Sequence, residues 1–139
     1  LAGYQAGVSI CYEDAFGEEV IQALPQAAFL VNASNDAWFG DSLAPHQHLQ
    51  IARMRARETE RYVLRATNTG ISAIIDNRGT IIASSRQFET STVTDRVIPR
   101  KCATPYVRWG NWPVVIVSLL MLLLTWFVAT HTNQRSDPL

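Results

Sequence analysis

From Trp109 to Thr130 the chain runs for 22 residues without a formally charged side chain, bracketed by Arg108 and His131. As a helix rising about 1.5 Å per residue such a run spans about 33 Å, close to the ~30 Å of a bilayer's hydrocarbon core. Eleven of the 22 are Leu, Ile, Val or Phe. Each favours insertion by roughly 0.3–0.6 kcal/mol near a helix centre, so together they supply a few kcal/mol. Ser118, Thr125 and Pro113 subtract only part of that. Trp109 and Trp112 at one end and Trp126 towards the other suit interfacial belts, and Pro113 is tolerable in a first turn. The competing reading, a core helix of a soluble domain, fits less well, because the run is longer than most core helices and sits at the end of the chain. Residues 109–130 are therefore read as a transmembrane helix, 101–108 as a juxtamembrane linker and 131–139 as a polar tail. Arg96, Arg100, Lys101 and Arg108 precede the helix and only Arg135 follows it, which by the positive-inside rule alone would put the globular part in the cytoplasm.

The remaining hundred residues have the size and apolar content of one domain: 47% of the 139-residue sequence is apolar. A net charge of zero hides an asymmetry. Residues 1–52 hold six acidic side chains and no Lys or Arg, whereas all twelve basic residues and six more acidic ones follow. No basic cluster is interleaved with aromatics, so a nucleic-acid partner is not expected. Two cysteines, Cys11 and Cys102, cannot make a disulfide framework. One bridge is conceivable in an oxidising compartment, but it would consume a candidate nucleophile. The start at Leu1, without an initiator Met or a signal sequence and just ahead of a strand, reads as the C-terminal piece of a longer protein.

Along the chain, Gln5 to Cys11 reads as a fully buried strand and Ala15 to Leu24 as a helix capped by Asp14 and stopped by Pro25. Ala28 to Ser34 is a second buried strand. Asn35 to Ser42 is loop chemistry wrapped around Trp38 and Phe39. Pro45 opens a long helix to about Arg61, with Leu49, Ala52, Ala56 and Val63 as its apolar stripe. Arg53, Arg55, Arg57, Arg61, Glu58 and Glu60 read as its solvated, salt-bridged faces. Strands follow at Val63 to Asn68, Ile71 to Ile75 and Thr80 to Ala83, the last two joined by the turn Asp76-Asn77-Arg78-Gly79. Thr90 to Ile98 alternates as an edge strand would. Strands alternating with helices and closing in hairpins indicate a mixed α/β sheet.

Cys11 stands at the end of the first strand, beside Glu13 and Asp14 and at the opening of a helix. A cysteine is among the most buried residue types, so packing alone would account for it. It is also the side chain that needs least help to attack a carbonyl, because a thiolate is intrinsically nucleophilic. The backbone N–H of Tyr12 is a candidate oxyanion donor. Glu13 either orients a cationic partner or is a salt-bridged carboxylate. Trp38 and Phe39 either pack inwards or line an acyl-chain pocket beside the thiol. His46 and His48, two apart on a helix, point to different faces with no third ligand near, so no metal is expected.

The segments Gly7–Phe16 (GVSICYEDAF), Leu30–Gly40 (LVNASNDAWFG) and Arg65–Gly79 (RATNTGISAIIDNRG), in that order, resemble the nitrilase superfamily. With the apolar run behind them, the resemblance is to its membrane-bound apolipoprotein N-acyltransferase branch. It implies part of an α-β-β-α sandwich over residues 1–100. It also implies acyl transfer from a phospholipid donor, through a cysteine thioester, to the N-terminal diacylglyceryl-cysteine of an apolipoprotein acceptor. The implied setting is a monomeric full-length protein in the bacterial inner membrane, without cofactor, its catalytic part periplasmic and its C-terminus cytoplasmic. Orientation then follows the family, because upstream spans would fix it. The superfamily's Glu-Lys-Cys triad has its Glu and Lys ahead of the Cys. Lys101, the single lysine, lies ninety positions after Cys11 and fits neither order nor context, and Glu18 and Glu19 match nothing. The chain by itself is thus expected to expose apolar surface, to be unstable alone and to be inactive. A membrane-anchored amidase and a non-enzymatic membrane-tethered domain are the alternatives.

Overall fold

The computed structural model describes residues 3–133. Its contacts divide the chain into two units, Leu1–Arg108 and Trp109–Leu139. In the first, five strands form one sheet in the order β1-β2-β3-β4-β5: Ala6–Ile10, Phe29–Ser34, Val63–Thr67, Ala73–Ile75 and Ile81–Ser84. The first three are parallel and the last two antiparallel, the mixed sheet expected. The turn between β4 and β5 is set by its sequence. Asp76 Oδ1 accepts the N–H groups of Arg78 (2.9 Å) and Thr80 (2.7 Å), and Gly79 takes the positive φ (+81°) that closes it.

Two helices connect the parallel strands. The one after β1 is broken: a 3-10 turn over Cys11–Ala15, then α1 over Gly17–Val20 and a second 3-10 turn over Ile21–Ala23. A continuous helix from Ala15 to Leu24 is interrupted because Phe16 leaves helical geometry (ψ 89°), which turns Gly17 against Arg55 and Tyr106. Only a glycine allows that approach. Asp14 does not cap this helix; it is buried inside the first turn. The second helix, α2, covers Ala44–Thr59 with Pro45 in its first turn and ends on Glu60 in the left-handed region (φ 51°). Leu49, Ala52 and Ala56 form the core stripe as expected, and the two alanines are fully buried because small side chains let α2 settle on the sheet. Val63 belongs to β3 instead, beyond the helix end.

The main core joins Leu24, Ala27, Leu30, Leu49, Val63 and Ile75 between α2 and the sheet. Ala28, Phe29 and Tyr62 form a smaller cluster on the other face, with Val31, Leu64 and Val97 against it. β1 is not fully buried: Val8 and Ile10 are 68% and 63% exposed, so the expected bare apolar surface lies on this strand. Residues 90–98 form no strand. Alternation promises one half-buried face but no ladder partner, and here only Val93 and Val97 turn inwards.

Arg61 corrects the reading of α2's basic residues as solvated. It is fully buried, and its guanidinium donates to the carbonyls of Ala27 (2.8 Å), Thr59 (3.2 Å), Pro25 (3.4 Å) and Cys102 (2.7 Å). One side chain thus ties three separate chain segments together. Cys11 and Cys102 are both free thiols.

A short helix α3, Pro105–Trp109, closes the first unit with all but its last residue; after Gly110 (φ 54°), α4 covers Trp112–Asn133. The long helix of the apolar run therefore starts at Trp112, three residues later than expected. The segment Trp112–His131 is long and apolar enough to cross a membrane, with a mean hydropathy of 2.3 and none of it buried. Its hydroxyls are satisfied internally: Ser118 donates to Val114 O, Thr125 to Leu122 O and Thr130 to Phe127 O, each at 2.8 Å. Most of the expected polar tail, with Arg135, lies outside the described residues.

Arg61→Met would leave four carbonyls without their donor and is expected to lower unfolding stability by at least about 3 kcal/mol, read by denaturant titration. A second expectation concerns pH. Burial raises the Glu58 carboxyl above its ordinary value of 4.5, which neighbouring Arg55 opposes without cancelling, and Tyr106 is raised by burial and by Glu58's charge. A raised carboxyl binds its proton more tightly folded than unfolded, so stability from this group is lost as pH climbs from 4.5 through the raised folded value. Glu58→Gln should flatten that decline: the melting temperatures of parent and variant diverge above the window and converge below pH 4.5, where the carboxyl is neutral in both states. A gap unchanged across pH would contradict this origin.

Candidate active site

Parallel strands end together, and the register of β1, β2 and β3 decides which side chains meet at that end. Ser9, Asn32 and Arg65 are aligned across the three strands, and Ile10 pairs with Ala33. The next step along β1 therefore brings Cys11 beside Ser34. The observed Ser34 Oγ to Cys11 Sγ distance is 3.7 Å.

Cys11 itself has φ +53°, a left-handed conformation that costs a non-glycine residue about 1–3 kcal/mol. The strand turns abruptly at this residue into the 3-10 turn, and the side chain stays half-buried at the corner. Two hydrogen bonds hold the corner. Asn32 Nδ2 donates to Cys11 O (3.0 Å), and the N–H of Ile10 donates to Glu13 Oε2 (2.7 Å). Glu13 thus serves as a backbone clasp, and among the described residues it forms no salt bridge, so of its two anticipated roles the ion-paired carboxylate is not seen.

Beneath the corner lies a buried cluster of four ionisable side chains. Asp14, Asp36, His48 and Arg65 are each 3% exposed or less. Arg65 Nη2 donates to Asp36 Oδ2 at 2.9 Å and its Nη1 to Asn32 Oδ1 at 2.7 Å, with Asp14 Oδ2 at 3.5 Å. His48 lies between the carboxylates, Nε2 at 2.9 Å from Asp14 Oδ1 and Nδ1 at 3.1 Å from Asp36 Oδ1. Each ring nitrogen thus faces an oxygen of a different carboxylate. Ser34 Oγ donates to Asp36 Oδ1 at 2.6 Å, the N–H of Asp36 donates to Asn68 Oδ1, and Gly70 leaves room for the Asp36 carboxylate where a Cβ would collide. The rings of Tyr12 and Phe39 cover the imidazole, at centroid distances of 5.5 and 6.3 Å.

An open cleft of about 380 Å³ is lined by Tyr12, Phe39, Ala44, Gln47, His48 and Ile51. Phe39 belongs to it; Trp38, 88% exposed, does not. Lys101 is distant in another sense. It borders Tyr4 and Gln5, ahead of β1, whereas Cys11 follows the strand's other end. Among the described residues no group of three or more His, Cys, Asp or Glu is arranged to hold a metal ion.

Of the residues marked in the sequence, Cys11, Tyr12 and Glu13 share one turn, and Tyr12 and Phe39 line one cleft. The ion cluster was not anticipated, although two signals pointed to it. His48 shares the row His48-Ala52-Ala56 on the buried side of α2, and Arg65 alternates onto the same face of β3 as Val63.

Residues 1–104 match the carbon-nitrogen hydrolase family. The apolipoprotein N-acyltransferase of Methylococcus capsulatus is 49% identical over 142 residues, covering 99% of this chain and 28% of that protein. The protein of the same name from Nitrosomonas europaea is 53% identical over 135 residues, covering 97% and 27%. The chain therefore spans little more than a quarter of the length of these curated relatives. An amidase from Nesterenkonia sp. shares the fold, with a TM-score of 0.54 at 18% identity over 82% of this chain and 43% of that one. The sheet, the cysteine at its carboxyl edge and these matches agree that the chain belongs to the carbon-nitrogen hydrolase family.

Proposed function

We propose that this chain is the nucleophile-bearing part of a membrane-bound N-acyltransferase that matures lipoproteins. The observation that carries the reading is Cys11 held at φ +53° on the corner between β1 and its following turn. Strain of this kind concentrates where a side chain must be presented rather than packed. The names of relatives about half identical to the chain support the acyl-transfer chemistry over hydrolysis.

In the proposed reaction the Cys11 thiolate attacks the carbonyl of a phospholipid ester, forming a thioester and releasing a lysophospholipid. The α-amine of a diacylglyceryl-cysteine at a lipoprotein N-terminus then attacks the thioester, takes the acyl group and frees the thiolate. The N–H of Tyr12, ahead of the first internal hydrogen bond of its turn, is the proposed donor to the oxyanion. Glu13 serves by clasping the corner. The base and the cation of a nitrilase-type triad are proposed to come from the remainder of the longer protein. Phe39 and the cleft it lines would take the acyl chain, while Trp38, bare and amphipathic, suits contact with lipid at the interface.

Residues 1–100 would then be the catalytic portion, 101–108 a linker and the apolar helix a span of the bacterial inner membrane. The catalytic side is proposed to be periplasmic and the C-terminus cytoplasmic, the full-length protein being a monomer. Such anchoring keeps the thiol near both lipidated reactants and lowers the entropic cost of assembling them.

Intact-mass analysis of the full-length protein incubated with phospholipid vesicles should detect an acyl adduct on Cys11. Cys11→Ala should abolish it and reduce transfer by on the order of 10³-fold or more. Unchanged transfer in that variant would end the proposal, and turnover of small amides without transfer would favour a hydrolase. Phe39→Ala should raise KM for the phospholipid severalfold while a thioester still forms.

A further inference from the structure

Cys11 is held at two points, and both lead to one guanidinium. At the backbone, Asn32 Nδ2 donates to Cys11 O (3.0 Å) while Asn32 Oδ1 accepts from Arg65 Nη1 (2.7 Å). At the side chain, Ser34 Oγ lies 3.7 Å from the sulfur, and Asp36, which accepts from Ser34, also accepts from Arg65 Nη2 (2.9 Å). A serine hydroxyl has one proton. At 2.6 Å from a carboxylate oxygen that proton is committed to Asp36, so the hydroxyl is fixed and its oxygen is left to accept from the Cys11 thiol before the proton is withdrawn. Asp36 is immobile in turn, because Arg65 and Ser34 donate to its carboxylate, His48 Nδ1 lies 3.1 Å from it and Asn68 accepts from its N–H.

We propose that Arg65 is a positioning residue that sets the attacking geometry of Cys11 through two arms, Asn32 to its carbonyl and Asp36–Ser34 to its sulfur. Arginine suits the task because its planar fork aims two donors in fixed directions, which the single ammonium of a lysine cannot do. His48 completes the clamp from the far side, bridging Asp36 to Asp14 in the turn that follows the cysteine. The inference rests on the reading of Cys11 as a nucleophile and names what aims it.

The sulfur arm can be cut while the hydrogen bonds of Arg65 to Asp36 and Asn32 stay in place. In the full-length protein with phospholipid vesicles, Ser34→Ala should slow single-turnover thioester formation by on the order of tenfold to a hundredfold, with KM for the phospholipid within twofold. Ser34→Thr, which restores the hydroxyl, should recover most of that rate. Asn32→Asp keeps an acceptor for Arg65 but turns a repelling oxygen towards Cys11 O, and should slow the same step. Thermal unfolding of Ser34→Ala close to that of the parent separates aiming from folding. Ser34→Ala as fast as the parent, or Ser34→Thr as slow as Ser34→Ala, overturns the proposal while leaving the nucleophile assignment intact. A parent protein that forms no thioester overturns both.

Discussion

Arg65 has no access to water, and its charge is met from several directions by Asp36, Asn32 and Asp14. Taking a guanidinium and two carboxylates out of solvent costs several kcal/mol for each ion, and attraction between them repays that only when geometry and hydrogen bonds are nearly complete. The surrounding backbone meets this demand. β2 supplies Asn32 and Ser34, β3 supplies Arg65, α2 supplies His48, and the turn after Cys11 supplies Asp14. Because each of these elements contributes a member, none can shift independently without leaving a buried charge unmatched. Well-packed hydrophobic residues in place of a buried ion cluster are often neutral or stabilising, so such a cluster speaks for specificity of arrangement rather than strength.

Much of this architecture was legible in the sequence. The five strands, the hairpin at Asp76–Gly79, the stripe Leu49-Ala52-Ala56 and the apolar helix all follow from periodicity and turn residues, which are local properties. The cysteine corner was legible too, through its motif context. What escaped was non-local. Asp14 looked like a cap because a carboxylate before a helix usually is one, yet here the partner that claims it is thirty-four residues away in α2. Arg61 looked solvated because charge usually is, and the four carbonyls that bury it come from three separate places in the chain. Alternation in 90–98 likewise described a surface without naming a partner strand.

The site also divides its labour by exposure. Buried charges hold the corner from below, while Ile10, Tyr12, Phe16 and Trp38 face outward beside the exposed Glu13 and Asn35. In α4 the hydroxyls of Ser118, Thr125 and Thr130 are met by carbonyls of their own helix, the same economy of unsatisfied polar groups.

The parallel pairing of β1 with β2 has one more implication. Side chains alternate along a strand, so sliding β1 by a single residue would put Ala33 or Asn35 opposite the thiol and send the carbonyl of Cys11 past its amide partner. On the proposed reading, reactivity is a matter of alignment, decided as much by the close approach of Gly7 to Leu30 and Ala23 near the strand's beginning as by anything adjacent to sulfur. Inactivating substitutions then need not cluster around Cys11; they trace back along the strand that carries it.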